Sequence, residues 1–171
     1  ARLAEGLGPH RPVITDLTCG QGHLLRATMN GTTKHLLGLD ITACRRPSLP
    51  DSVQWSFIHS DLGRAYPLLL DTGWTGELFV LNPPWDLHWP KAAFLRPDAA
   101  QDDGAREHNS RLAGVDPRID QSHIDSAIAT WLVALDRCAS GGEGFILMNA
   151  ATLQRLVLDE DAPFACLAQH I

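Results

Sequence analysis

VITDLTCGQGHLL, residues 13–25, decides how the rest of the chain is read. Three β-branched residues, Val13, Ile14 and Thr15, lead into Asp16 and then into a Gly-x-Gly turn followed by apolar Leu24 and Leu25. That pattern predicts a short buried strand, Val13–Cys19, passing through a tight glycine turn into a helix that runs from Gly22 to Met29 and stops at Asn30-Gly31. Four further segments repeat the strand signature: His35–Ile41, Val53–His59, Glu77–Asn82 and Gly144–Asn149. Each is rich in β-branched or aromatic residues and bounded by Gly, Pro, Asp or Asn, as strands covered on both faces are. Between strands, the clearest helix is Ser122–Ala139. There Ile124, Ile128, Trp131, Leu132 and Leu135 share one face, Ser122 with Asp125 resembles a capping box, and Gly141-Gly142 ends the run. Strands alternating with helices predict the α/β class, a mostly parallel sheet with helices on both faces.

The 171 residues, 44% of them hydrophobic, suffice for one domain with a buried core, so residues 1–171 are read as a single domain with its core at 13–150. No apolar run approaches the roughly 20 residues of a membrane helix, and Ala-Arg-Leu-Ala-Glu lacks the apolar stretch of a signal peptide; no membrane partner and a cytoplasmic location are expected. The cysteines, Cys19, Cys44, Cys138 and Cys166, form no CxxC pair, and the histidines are scattered, so neither a disulfide framework nor a metal site is expected. A formal charge of −6 repels polyanions, so a nucleic-acid partner would have to be held mainly by something other than this surface. From Asp86 to Gln121 the chain is polar, carries Pro90, Pro97 and Pro117 and shows no sustained period. It is read as a flexible loop beside a site.

The glycine turn admits close approach of a ligand to backbone, with a helix start beyond it. A dinucleotide site would want glycine or alanine where Leu25 stands, and no Gly-Lys-Ser/Thr follows for a triphosphate. S-adenosylmethionine, which carries a carboxylate, an ammonium and a sulfonium but no phosphate, suits the residues better. Asp16 could accept from the ammonium and turn amides could take the carboxylate. Asp40, 18 residues beyond Gly22, could hold the ribose hydroxyls. Asp61, in Ser60-Asp61-Leu62, could accept from the adenine amine, with Ile41 and Leu62 sandwiching the ring. Each acid is equally a strand-end turn or helix cap taken singly. Three at the ends of successive strands, beside a glycine turn, point to the ligand-binding edge of an open sheet.

The fourth strand runs into Asn82-Pro83-Pro84-Trp85. Two prolines fix φ and lack N–H groups, and Pro84 also forces Pro83 out of the helical region; the result is a rigid turn with free carbonyls. The Asn82 side-chain oxygen and the Pro83 carbonyl are two acceptors for one –NH2 group, and Trp85 is a flat surface for its ring. Accepting both amine hydrogens localises a lone pair otherwise delocalised into the ring, so the residues align and polarise a nucleophile rather than remove its proton.

In order, DLTCGQG, GLDI, HSDL and NPPW resemble the motifs of Rossmann-like class I S-adenosylmethionine-dependent methyltransferases, specifically the gamma-type amino methyltransferases that modify adenine N6 in DNA and the modification subunits of restriction systems. The likeness covers about residues 13–150. It implies cofactor contacts from Asp16, Gly20 and Gly22 on the methionine side, with Thr18, Cys19 and His23 of the same turn, from Asp40 at the ribose, and from Asp61 at the adenine, where Ile41 and Leu62 bracket the ring. It implies a catalytic set of Asn82, Pro83, Pro84 and Trp85, with Trp85 stacking on a flipped base. Leu17 and Thr18-Cys19 stand where family members often have Pro or Phe. The family sheet continues into a final antiparallel pair, whereas this sequence ends 22 residues after Asn149. With a first residue other than Met, the expectation is a catalytic-domain fragment truncated after the fifth strand, with DNA contacts and target recognition supplied by other domains or subunits.

Two rival readings stand beside this one. The same clamp suits an RNA adenine or a protein glutamine amide, since it grips an –NH2 on a planar group. Alternatively, the domain is a non-catalytic methyltransferase-like scaffold of a larger protein. A cytosine-C5 enzyme is not expected, because no Pro-Cys nucleophile occurs.

Overall fold

The computed structural model describes residues 12–84, 87–114 and 122–148. β1 (Val13–Asp16) leads through the glycine turn into α1 (His23–Thr28) and back to β2 (His35–Asp40). Next come β3 (Gln54–His59), α2 (Leu62–Asp71) and β4 (Gly76–Leu81). A short antiparallel pair, β5 (His88–Pro90) with β6 (His123–Asp125), brackets a 3-10 turn (Lys91–Phe94) and α3 (Asp103–Gly114). α4 (Ser126–Arg137) and β7 (Cys138–Ile146) complete the described order.

Five strands form one parallel sheet in the order β3-β2-β1-β4-β7. Alternation along each strand sends side chains to two cores. Ile14, Leu36, Leu78 and Val80 pack with Leu25 of α1 on one face. Leu37, Leu39, Phe79 and Leu81 pack with Tyr66 and Leu69 of α2 and with Ile128 and Leu132 of α4 on the other. The expected α/β class, with a parallel sheet and helices on both faces, is thus present, and its strand order reverses between β1 and β4. In open sheets that reversal opens a crevice at the strands' carboxyl ends. No helix among the described residues is long and apolar enough to cross a membrane.

Several boundaries differ from the sequence reading. The first strand ends at Asp16, because the turn starts there: the Asp16 carboxylate accepts from Thr18 N at 3.0 Å. The long helix begins at Ser126, and its cap is Asp125, which accepts from Ala127 N at 2.9 Å and Ile128 N at 3.4 Å; residues 123–125 pair with β5 instead. It ends at Arg137, before the glycines. Gly141, at φ 73°, lies in an irregular stretch of β7 where register against β4 jumps from Gly76↔Cys138 to Leu78↔Glu143. A left-handed residue suits such a bulge. Asn149, the expected end of this strand, falls outside the described residues.

The loop expected over 86–121 is corrected for its described part, which carries β5, the 3-10 turn and α3. α3 escaped a reading by apolar period because polar groups anchor it. Asp102 accepts from Gly104 N at 2.7 Å and Ala105 N at 3.1 Å, capping its start. Asn109 clasps the Arg96 backbone, its Oδ1 accepting from Arg96 N at 2.8 Å and its Nδ2 donating to Arg96 O at 2.9 Å. The Arg96 guanidinium, nearly buried, pairs with Asp98, with Asp102 at 3.0 Å and with Asp136 of α4 at 2.9 Å. Buried His108 donates through Nε2 to the Phe94 carbonyl at 2.8 Å, and burial holds its pKa below the usual histidine value.

Candidate active site

A cleft of about 290 Å³ opens at the carboxyl edge of β1, β2 and β4, at the reversal of strand order. Strand ends supply its walls. Leu17 and Thr18 come from the glycine turn, Leu39, Asp40 and Ile41 from β2, Ser60, Asp61 and Leu62 from the β3–α2 junction, and Asn82 and Pro84 from the end of β4. Leu87 and Trp89 close it. Of the residues expected to hold a cofactor or a substrate amine, Thr18, Asp40, Ile41, Asp61, Leu62, Asn82 and Pro84 therefore border one space.

The turn is built for close approach. Gly20 and Gly22 adopt φ 51° and 72°, conformations that L side chains rarely take. Gly20 N donates to Asp40 Oδ2 at 2.8 Å, Thr42 N donates to Asp40 Oδ1 at 2.8 Å, and Cys19 N donates to Leu39 O at 2.9 Å. Asp40 thus pins the turn to the end of β2, while each of its oxygens keeps a second lone-pair direction for a hydroxyl donor. Asp61 caps α2, accepting from Arg64 N at 3.0 Å and pairing with Arg64 Nε at 3.3 Å. Its ordinary role as a cap is present whatever else it binds.

Asp16, Cys19, Gly20, Gly22, His23 and Pro83 do not border the cleft. Asp16 is 1% exposed, and beyond Thr18 N the described partner of its carboxylate is Thr18 Oγ1 at 3.4 Å. Burial raises its pKa from 3.8 to about 7, with the Thr18 bonds opposing and the charge of Asp40 adding slightly. Cys19 is buried and burial pushes its thiol up, so it serves as packing beneath the turn. His23 is exposed.

Asn82 is exposed, and its side chain makes no hydrogen bond to a described residue. The Pro84 carbonyl accepts a short bond from Ser126 Oγ, whereas no described group donates to the carbonyl of buried Pro83. Among the described residues nothing donates to either acceptor read from the sequence, Asn82 Oδ1 or Pro83 O. Trp85 lies outside the described residues.

Leu87 and Trp89 escaped the sequence reading. The sequence places them in a loop, and the pairing of Trp89 with Ile124 across β5 and β6, together with Ser126 N donating to Leu87 O at 2.9 Å, carries them to the site. A legible signal existed in the aromatic Trp89 four residues beyond Trp85, but no local period singled it out. Among the described residues no three His, Cys, Asp or Glu side chains converge as metal ligands.

The arrangement offers acid groups toward hydroxyls and cations, apolar walls for a ring, and acceptors to which no described residue donates. No protein-family model matches the chain, and no curated protein matches it either.

Proposed function

We propose that this chain is the catalytic domain of an S-adenosylmethionine-dependent methyltransferase of class I fold that methylates the exocyclic N6 of adenine in DNA. The observation that carries the reading is the single cleft in which Thr18, Asp40, Ile41, Asp61 and Leu62 meet Asn82 and Pro84. A cofactor with hydroxyls and a purine suits that set of acceptors and apolar walls. Asp40 retains acceptor capacity for the ribose, each Asp61 oxygen keeps a lone-pair direction beside its contact with Arg64 for the purine amine, and Ile41 and Leu62 are apolar walls.

When bound, S-adenosylmethionine supplies a methyl carbon that becomes bonded to the substrate nitrogen as its carbon–sulfur bond breaks, leaving neutral S-adenosylhomocysteine. The chain's own contribution is placement. Asn82 Oδ1 and Pro83 O each accept one hydrogen of the amine, turning its lone pair out of conjugation and toward the methyl. Neither is a base at neutral pH, so the extra proton of the methylated nitrogen leaves to solvent. The rigid Pro83-Pro84 backbone and the Ser126–Pro84 bond hold the clamp still. DNA is held through regions outside this chain, consistent with its net charge of −6.

The test incubates the full-length protein with methyl-labelled cofactor and separate pools of DNA, RNA and protein. Label in DNA as N6-methyladenine is expected; label in protein alone rejects adenine, and mapping of that label to a glutamine side chain would assign the amide as the acceptor. Asn82→Ala is expected to lower kcat at least 100-fold, the scale of losing one oriented polar contact in the transition state. Its affinity for S-adenosylhomocysteine should stay within about threefold, since the cofactor contacts are elsewhere.

A further inference from the structure

We infer that Trp89 is the platform on which the purine of the bound adenosyl ligand stacks, an assignment that rests on the adenosyl reading of the cleft. Trp89 is half-buried and borders the cleft that Asp61 and Leu62 also line. Its ring packs against Phe94 with centroids 5.8 Å apart and planes at 36°. Phe94 is wholly buried and packs in turn on Tyr66, 6.2 Å away, whose hydroxyl donates to Asp136 at 2.8 Å. The indole therefore stands on an anchored aromatic column.

That column reaches the purine end of the cleft. A Cβ on Gly63, two residues beyond Asp61, would lie 3.0 Å from Ala93 Cβ and 3.7 Å from Phe94 Cζ, so the 3-10 turn carrying Phe94 is pressed onto the start of α2. Asp61 and Leu62, which open α2, are thus brought beside the strand that bears Trp89. Aliphatic Ile41 and Leu62 can bracket a ring, but among the described lining residues only the Trp89 indole adds a π-face, and Ile41, 70% exposed, is a weak wall by itself.

A base stacked on an aromatic side chain loses about 1–3 kcal/mol of binding when the ring is removed, or about 5- to 150-fold in affinity. Calorimetric titration of the full-length protein with S-adenosylhomocysteine and with 5′-methylthioadenosine, which shares the purine but lacks the amino-acid end, reads this directly. Trp89→Phe should bind both within about threefold of the native protein. Trp89→Leu, which keeps apolar bulk but has no π-face, and Trp89→Ala should each weaken both ligands by the same factor of about 10 to 100. Thermal melting identifies any variant that fails to fold, and the Leu and Phe pair then carries the comparison.

Equal binding by the Leu and Phe variants overturns stacking. So does unchanged ligand affinity with a raised KM for the methyl acceptor, which moves Trp89 to the acceptor side. Native protein that binds neither ligand defeats the adenosyl reading and this assignment together, whereas native binding that survives Trp89→Ala defeats this assignment alone.

Discussion

Asp16 makes the sharpest prediction, because its burial converts directly into a pH dependence. The carboxyl is 1% exposed, and its two contacts to Thr18 do not offset the loss of hydration; its pKa rises from 3.8 to about 7. A rise of that size corresponds to on the order of 4 kcal/mol between the protonated and ionised folded states. The folded protein binds this proton more tightly than the unfolded chain, so the associated stability is fully present below about pH 4 and is lost as pH rises toward 7. Ligand binding runs the opposite way. Asp16 does not border the cleft, so a role in binding needs its own test: if its ionised carboxylate receives an ammonium, affinity for S-adenosylhomocysteine increases with pH up to about 7 and is then level, with a decade lost for about each pH unit below that point. The assay is calorimetric titration at pH 5, 6, 7 and 8, with thermal melting alongside. Asp16→Asn removes the titrating group at nearly constant shape. It should abolish the slope in affinity and melt at a temperature nearly independent of pH between 4 and 7, apart from background common to both proteins. A native protein whose affinity is level from pH 5 to 7, or an Asn variant that retains the slope, refutes the assignment of Asp16 to the ammonium.

Two substitutions test the scaffold. At Gly38 a Cβ would lie 2.7 Å from Trp55 Cη2 and 2.8 Å from Cys19 Sγ, so Gly38→Ala should destabilise by about 1–3 kcal/mol and, by pushing Cys19, weaken ligand binding at the glycine turn; an unchanged melting temperature would contradict this packing. Asp125→Ala removes a cap that is 7% exposed and serves two amides of α4, and should cost about 1–2 kcal/mol in denaturant unfolding, with Asp125→Asn recovering most of it.

The carboxyl-edge site was legible because its residues sit at strand ends, where local chemistry speaks. Glycines at Gly20 and Gly22 announce a turn that needs positive φ, and paired prolines announce a rigid one. Asp40 and Asp61 follow their strands at intervals a parallel sheet turns into neighbours. Their structural duties, pinning the turn and capping α2, depend on partners such as Gly20 N, twenty residues from Asp40, that no window of sequence displays together.

By itself, then, the sequence determined the alternation of strands and helices and the strand-end residues Thr18, Asp40, Ile41, Asp61, Leu62, Asn82 and Pro84 that border the cleft, because periodicity and turn chemistry act over a few neighbours. Tertiary structure alone decided the order β3-β2-β1-β4-β7, the burial that raises the Asp16 pKa, and the place of Trp89. It also decided that residues 103–114 are helical: their anchors are Arg96, Asn109 and Asp136, polar groups whose value depends on meeting across 13 and 40 residues of chain. Hydrogen bonds and desolvation depend on what surrounds a group in space, and in this protein those surroundings are assembled by contacts distant in sequence.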